Sequence, residues 1–230
     1  MTLRTLLVAT LALGLAACSD SADDATATAD GDVSTAGTFV DAPDIPAGTY
    51  TIDAAHSNAS FRVRHLGIAS VTGRFDAVSG TVTLGDDFSS MQATAVIDAS
   101  TIDTDNDQRD GHLRSPDFFD VAQYPEITFE ATEVRPSGDG DFMLVGDLTM
   151  HGVTRPVELE AEYLGTASMG GTQKIAFTAS GEINRTNWGL TWAETNEAGE
   201  ALVGDMVTLT IDIEANREAE EAASEAETEA

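Results

Sequence analysis

With a single cysteine, Cys18, the chain can form no intrachain disulfide and offers no thiolate cluster to a metal. Its four histidines, His56, His65, His112 and His151, are not spaced as metal ligands either, so neither a metal nor a cofactor is expected. Lysine is nearly absent: Lys174 stands alone beside ten arginines and 40 Asp and Glu. A formal charge of −29 argues against nucleic acid as a partner and against polybasic docking on anionic lipid. Long apolar runs are missing too. The stretch Leu6 to Leu15 is too short to cross a bilayer as a helix. No G-x-S-x-G nucleophile elbow occurs.

That apolar stretch, preceded by Arg4, has the proportions of a signal-peptide core. It ends in Leu15-Ala16-Ala17-Cys18, which resembles the bacterial lipoprotein box. The resemblance implies cleavage of residues 1–17 and a diacylglycerol on Cys18; an ordinary signal peptide with a chance cysteine is the alternative. Ser19 after the cysteine resembles an outer-membrane address, on the periplasmic face of the cell envelope. Residues 18–47 are Ala, Thr, Ser, Asp and Gly with little to bury, and are expected to be a flexible tether. Residues 217–230 alternate Glu with Ala and are expected to be a solvated acidic tail. Residues 48–216 form the domain, still with about three acids for every base.

Inside that domain, alternation dominates. Ala59, Phe61, Val63 and His65 share one face of a strand; Ile127, Phe129 and Ala131 share another. Phe142, Leu144, Gly146 and Leu148 form a row, as do Val157, Leu159, Ala161 and Tyr163. Ile175, Phe177 and Ala179, and then Val207, Leu209, Ile211 and Ile213, complete the set. One apolar and one wet face per strand marks antiparallel sheet. Turn signals at Gly85-Asp86-Asp87, Pro136-Ser137-Gly138, His151-Gly152 and Gly170-Gly171 divide the rows. Eight or nine strands result, compatible with a sandwich or a closed barrel. Small apolar-face residues (Ala59, Ala93, Ala95, Gly146, Ala161, Ala179) leave space for a cavity in the barrel case.

One stretch breaks the alternation: TDNDQRDGHLRSPDFFDVAQYPEITF, Thr104 to Phe129. Asp105 as N-cap with Gln108 three residues on predicts a short helix, Asp110 and Arg114 are spaced for an i,i+4 ion pair, and Pro116 stops the helix near Arg114. Ser115 then caps a second turn carrying Phe118 and Phe119, at least one of which should pack near the interior. The run from Asp103 to Asp107 begins like a calcium loop. Gln108 and Arg114 occupy the positions that such a loop gives to Gly and Glu, so it is read as helix capping. An acid–base reading would use His112 as base, Asp110 as its orienter and Arg109 on an anion, but on a helix residue 110 points away from 109 and 112.

Four pieces resemble the YceI-like family of lipocalin-like, polyisoprenoid-binding bacterial proteins. They are Gly48-Thr49-Tyr50-Thr51-Ile52-Asp53 with His56-Ser57, Phe61 and His65; Arg109 to Ser115 with Asp117-Phe118-Phe119-Asp120 and Tyr124-Pro125; Gly146 to Thr154 with Pro156-Val157; and Asn184 to Leu190 with Val203-Gly204-Asp205. The match runs in order from about Gly48 to Ala215. Trp188 stands where Phe or another aromatic is expected, and the lipoprotein leader and acidic tail lie outside the resemblance.

The resemblance implies an all-β fold, an eight-stranded antiparallel lipocalin-like barrel with a short helical insertion, holding a long isoprenoid chain of quinone or prenyl-lipid type. Expected ligand-binding residues are Phe61, Val63, His65, Phe75, Arg109, His112, Phe118, Phe119, Phe129, Leu148, Trp188 and Trp192; no catalytic residue is assigned. The reading is of a membrane-tethered carrier or reservoir. An enzyme acting on a lipid or quinone through Arg109 and His112, and a filled barrel serving as an interaction module, are the alternatives. If Cys18 is the anchor, Cys18→Ser should release the protein from membranes or leave it unprocessed; unchanged fractionation and fatty-acid labelling would sink that assignment.

Overall fold

The computed structural model describes residues 45–86, 88–138 and 140–218; the leader, Cys18 and the acidic tail beyond Glu218 lie outside them. Eleven strand segments follow one another: β1 (Gly48–Ile52), β2 (Asn58–His65), β3 (Ala69–Phe75), β4 (Val78–Leu84), β5 (Gln92–Asp98), β6 (Ile102–Asp103), β7 (Glu126–Gly138), β8 (Asp141–Met150), β9 (Val153–Met169), β10 (Thr172–Asn184) and β11 (Val203–Arg217). Six of these segments are halves of three kinked staves, β1–β2, β3–β4 and β5–β6. β3 pairs with β2 and β6, while β4 pairs with β1 and β5.

The result is an eight-stave antiparallel meander that closes on itself. The last stave, β11, pairs with β10 along one side and with β2 and then β1 along the other, from Val203↔His65 to Tyr50↔Arg217. Of the two architectures that alternation allowed, the ring is realised because β11 spans 15 residues and reaches both halves of the kinked first stave. Closure gives every stave a partner on both sides along part of its length; the far ends of β7 and β9, past Glu130 and Glu162, pair on one side only.

The two-residue hairpins are where the turn signals placed them. His151 and Gly152 have φ of 51° and 73°, and Gly170 and Gly171 have 63° and 86°. Positive φ at both central residues gives the turn twist that matches flanking strands. The Pro136-Ser137-Gly138 signal is different: β7 continues through it to Gly138 before β8 begins at Asp141.

The ends of the barrel are closed differently. At the end where β1 starts, a 3-10 turn, Phe88–Ser90, carries buried Phe88 edge-on to Phe142 (ring centroids 5.0 Å) and 6.4 Å from Phe177. Tyr50 is fully buried, its hydroxyl donating to the Pro46 carbonyl at 2.8 Å. Burial raises the pKa of that phenol, with the Arg217 charge opposing.

At the other end lie helix α1 (Asp107–Leu113), the 3-10 turn Arg185–Trp188 and the loop leading to β11. The helix begins one residue later than the sequence suggested. Asp105 takes a left-handed φ of 59°, and Asn106 is the cap, accepting from the Arg109 N–H at 3.0 Å. The expected Asp110–Arg114 pair is replaced by separate ties. Asp110 is buried and accepts from the Thr104 N–H (3.0 Å) and hydroxyl; Arg114 donates to the carbonyls of Ser100 (2.8 Å) and Ile102 (2.6 Å). These bonds bind the helix to the end of the β5–β6 stave. Pro116 ends the helix as expected, with Arg114 at its C-cap.

Phe88 is the side chain whose loss should most loosen the β1 end. Phe88→Ala is expected to cost about 3–5 kcal/mol in denaturant titrations, the usual range for a buried Phe; a loss below about 1 kcal/mol would mean that the end is held by the strands alone.

Candidate ligand cavity

Inward side chains of eight staves do not fill this ring. A cavity of about 230 Å³ runs through it, walled by Phe61 and Val63 (β2), Phe75 (β3), Ala93 and Ala95 (β5), Phe129 (β7), Leu144 and Leu148 (β8), Ala161 (β9), Ala179 (β10) and Leu209 and Ile211 (β11), among others. Ala59, Ala93, Ala95, Ala161 and Ala179 all line it, as their small size suggested. Gly146 leaves no room. A Cβ there would stand 2.4 Å from the Phe129 ring, which lies across the glycine. The same arrangement recurs at Gly73, where the Phe61 ring fills the space. The walls are almost wholly hydrocarbon, so the cavity favours an apolar guest.

The helix end supplies the remaining wall. Leu113, Phe118 and Phe119 from the inserted segment, Leu190 from the opposite loop and Val203 at the start of β11 line the cavity there. Phe119 stands edge-on to Phe75 at 5.7 Å. Phe118, His112 and Trp192 form a triangle, with centroids 5.1 Å (His112–Phe118), 5.3 Å (His112–Trp192) and 5.2 Å (Phe118–Trp192) apart. That triangle joins the two mouth segments.

Of the residues expected to bind ligand, Phe61, Val63, Phe75, Phe118, Phe119, Phe129 and Leu148 line the cavity. Five lie outside its walls. His65 is exposed at the tip of β2. Arg109 folds back on Thr104, donating to its hydroxyl and carbonyl, both at 2.7 Å. His112 sits in the aromatic triangle with Nε2 3.0 Å from Asp117. Trp188 is buried beside the cavity and donates from Nε1 to the Leu148 carbonyl at 3.0 Å. Trp192 packs on His112 and Phe118. The acid–base arrangement is not assembled: Asp110 serves Thr104, and the carboxylate beside His112 is Asp117.

The charged residue of the lining was not among the expected ligand residues. Arg185 opens the 3-10 turn after β10, is 5% exposed, and is the only charged residue among those lining the cavity. It donates to the Gly204 carbonyl (2.9 Å), the Leu190 carbonyl and the Asp205 carboxylate (2.9 Å), clasping both feet of the loop between β10 and β11. Its signal was the pairing of Asn184-Arg185-Thr186 with Val203-Gly204-Asp205, noted as a motif without a physical partner.

A closed eight-stranded barrel with an apolar interior and one inserted helix defines a lipocalin-like barrel. The chain belongs to the YceI-like family: residues 50–215 match the YceI-like domain. A UPF0312 protein of Staphylococcus aureus is 37% identical over 161 residues, covering 67% of this chain and 90% of its own. Among solved structures, the Campylobacter jejuni YCEI protein superposes with a TM-score of 0.58 at 29% identity, over 68% of this chain and 90% of its own. Burkholderia cenocepacia BcnA (TM-score 0.60, 22% identity, 71% and 98% covered) and a polyisoprenoid binding domain from Saccharophagus degradans (0.57, 22%, 74% and 98%) share the fold.

On the outer wall, the break between β1 and β2 gathers Asp53, His56 and Glu214, whose ligand-type atoms lie within 4.8 Å of one another. The cation among them is the Lys174 ammonium, which donates to Glu214 (2.6 Å), Asn216 (2.6 Å) and Asp53 (3.4 Å). The hydrogen bond to Glu214 is the largest cause raising the Lys174 pKa. Hydrogen bonds from His56, then the Ala55 N–H, then Asn216 and Lys174 hold the Asp53 carboxyl at about 2. A carboxyl depressed on folding contributes stability above its ordinary value near 4 and loses it as pH falls through about 2. Thermal melts should therefore fall less steeply between pH ~4 and ~2 for Asp53→Asn than for the native chain; parallel curves would remove Asp53 from the acid response.

Proposed function

We propose that this is a cell-envelope lipoprotein that holds the hydrocarbon chain of an isoprenoid lipid, of quinone or prenyl-lipid type, inside its barrel as carrier or reservoir. The apolar cavity carries the reading. Burying about fifteen tail carbons at ~0.8 kcal/mol each gives about 12 kcal/mol, against an association cost of ~4–15 kcal/mol. A tail of that order is the least that binds well without a strong polar contact. The cavity, about 230 Å³, exceeds the ~150 Å³ apolar cavity that admits benzene but falls below the usual range for a large ligand. A long chain thus occupies the interior and also displaces or passes the mouth segments. The Saccharophagus degradans barrel, described as a polyisoprenoid binding domain, supports the same ligand class on the same fold. Lipidation at Cys18 on the periplasmic face of the outer membrane would keep such a carrier beside its lipid source.

Solvent extraction of the purified protein followed by mass spectrometry should recover an isoprenoid. Failure to recover one, together with no binding of an added long-chain quinone by folded protein, would end this reading. Because His112 lies outside the walls, His112→Ala should keep quinone affinity within about tenfold, or ~1.4 kcal/mol. Abolished binding by a folded His112→Ala variant would move recognition from the cavity to the mouth.

A further inference from the structure

We propose that the rim at the helix end docks on a lipid bilayer with zwitterionic head groups, so that a tail passes directly between membrane and cavity; this extends the carrier reading above and rests on it for the tail. In a chain where acids outnumber bases 40 to 11, three described arginines, Arg62, Arg64 and Arg155, are exposed and make no hydrogen bond or ion pair. All three stand near this rim. Arg62 and Arg64 approach the tip of β2, where His65 pairs with Val203 at the start of β11, and Arg155 follows the His151-Gly152 hairpin. Both hairpin tips are tied to the segment between β10 and β11. The Leu66 N–H donates to the Leu202 carbonyl at 3.1 Å, and His151 Nδ1 lies 3.2 Å from the Trp188 carbonyl. Toward the β1 end, by contrast, Arg135, Lys174 and Arg217 all have partners.

The same rim exposes apolar side chains. Ile68, at the tip of the β2–β3 hairpin, is 84% exposed, and Met206, near the start of β11, is 50% exposed. No acid occurs from Ala54 to Phe75, the stretch that holds this hairpin. Exposed carboxylates without ion pairs, Glu194 and Glu197, sit on the adjoining loop. A surface of one charge therefore meets both signs here. An anionic bilayer is repelled by those carboxylates and by the formal charge of −29, and a second copy of this chain brings the same charge against it. A zwitterionic head group offers phosphate to the guanidinium groups and ammonium to the carboxylates. Ile68 and Met206 then leave water for the head-group and acyl boundary. An anchor at Cys18 allows this orientation although Gly48 enters at the opposite end. The chain between them, about thirty residues at ~3.3–3.6 Å each when extended, spans up to ~100 Å, about twice the strand length of β11.

Full-length protein carrying Cys18→Ser, so that no acyl group contributes, is floated with vesicles of phosphatidylethanolamine and phosphatidylcholine. Ile68→Ser and the triple variant Arg62→Gln/Arg64→Gln/Arg155→Gln, each in this background, should weaken vesicle binding about tenfold and slow transfer of a long-chain quinone from the vesicles. Leu164→Ser/Met169→Ser, at exposed apolar residues on the far half of β9, should change vesicle binding by less than about twofold. None of these side chains lines the cavity, so affinity for a solubilised quinone should be unchanged and melts should superpose. Replacing part of the neutral lipid with phosphatidylglycerol should weaken binding. Undiminished vesicle binding in both rim variants, an equal loss in the β9 variant, or tighter binding to the phosphatidylglycerol vesicles overturns the proposal. Self-association lost in the rim variants, with no vesicle binding by the unsubstituted rim, overturns it too and gives the rim to a second copy. Rim-dependent vesicle binding without binding of solubilised quinone upholds the docking surface and overturns the carrier reading.

Discussion

Ring closure along β11 sets the terms for everything else in this barrel. That one stave carries the pairing to β10, to β2 and to β1, and so turns a meander into a cylinder. Once the ring is closed, its diameter is fixed by strand number and tilt rather than by the side chains inside. Five alanines on the inner wall then leave a void that no repacking of the strands can remove. In a sandwich the two sheets could move together over small residues; in a cylinder they cannot.

A void of that kind has to be stoppered, and the chain uses aromatics on inserted segments for it. Phe88 closes one end from a 3-10 turn, against Phe142 and Phe177 that belong to the staves themselves. Phe118 and Phe119 close the other from the segment after α1. The two stoppers differ in what holds them. Phe88 meets rings fixed in the wall; at the other end Phe119 also meets a wall ring, Phe75, but the Phe118 ring contacts are with His112 on its own segment and Trp192 on a separate loop. This asymmetry assigns the helix end as the mouth.

Much of the wall was legible because period-two alternation reports directly which side chains share a face. Seven of the twelve expected ligand residues line the cavity, and all seven are apolar. The five that do not are His65, Arg109, His112, Trp188 and Trp192, three of them polar and two with an indole N–H. Alternation says nothing about such groups, several of which are placed by individual hydrogen bonds or ring contacts. Arg109 is taken by Thr104, and Trp188 by the Leu148 carbonyl forty residues away. Arg185 was missed for the same reason: its carbonyl and carboxylate partners meet it only when β11 returns beside the end of β10. Phe88 follows the Gly-Asp-Asp turn signal, and nothing local in the sequence reveals that its 3-10 turn buries it.

The distribution of polar contacts at the mouth also says which part can yield. Asp110, Arg109 and Arg114 tie α1 to Thr104, Ser100 and Ile102, so the helix is an extension of the β5–β6 stave. Arg185 does the same for the two feet of the opposite loop. Between these anchored parts the bridging contacts are rings, Phe118 and His112 on Trp192, while Phe119 packs on Phe75 of the wall. Ring contacts are worth about 0.5–1.5 kcal/mol each beyond their buried area, and they re-form on any apolar surface. A hydrocarbon tail sliding through the gap replaces one apolar contact with another and leaves the hydrogen-bonded anchors intact. The mouth can therefore admit a chain longer than the cavity without unfolding either segment that frames it.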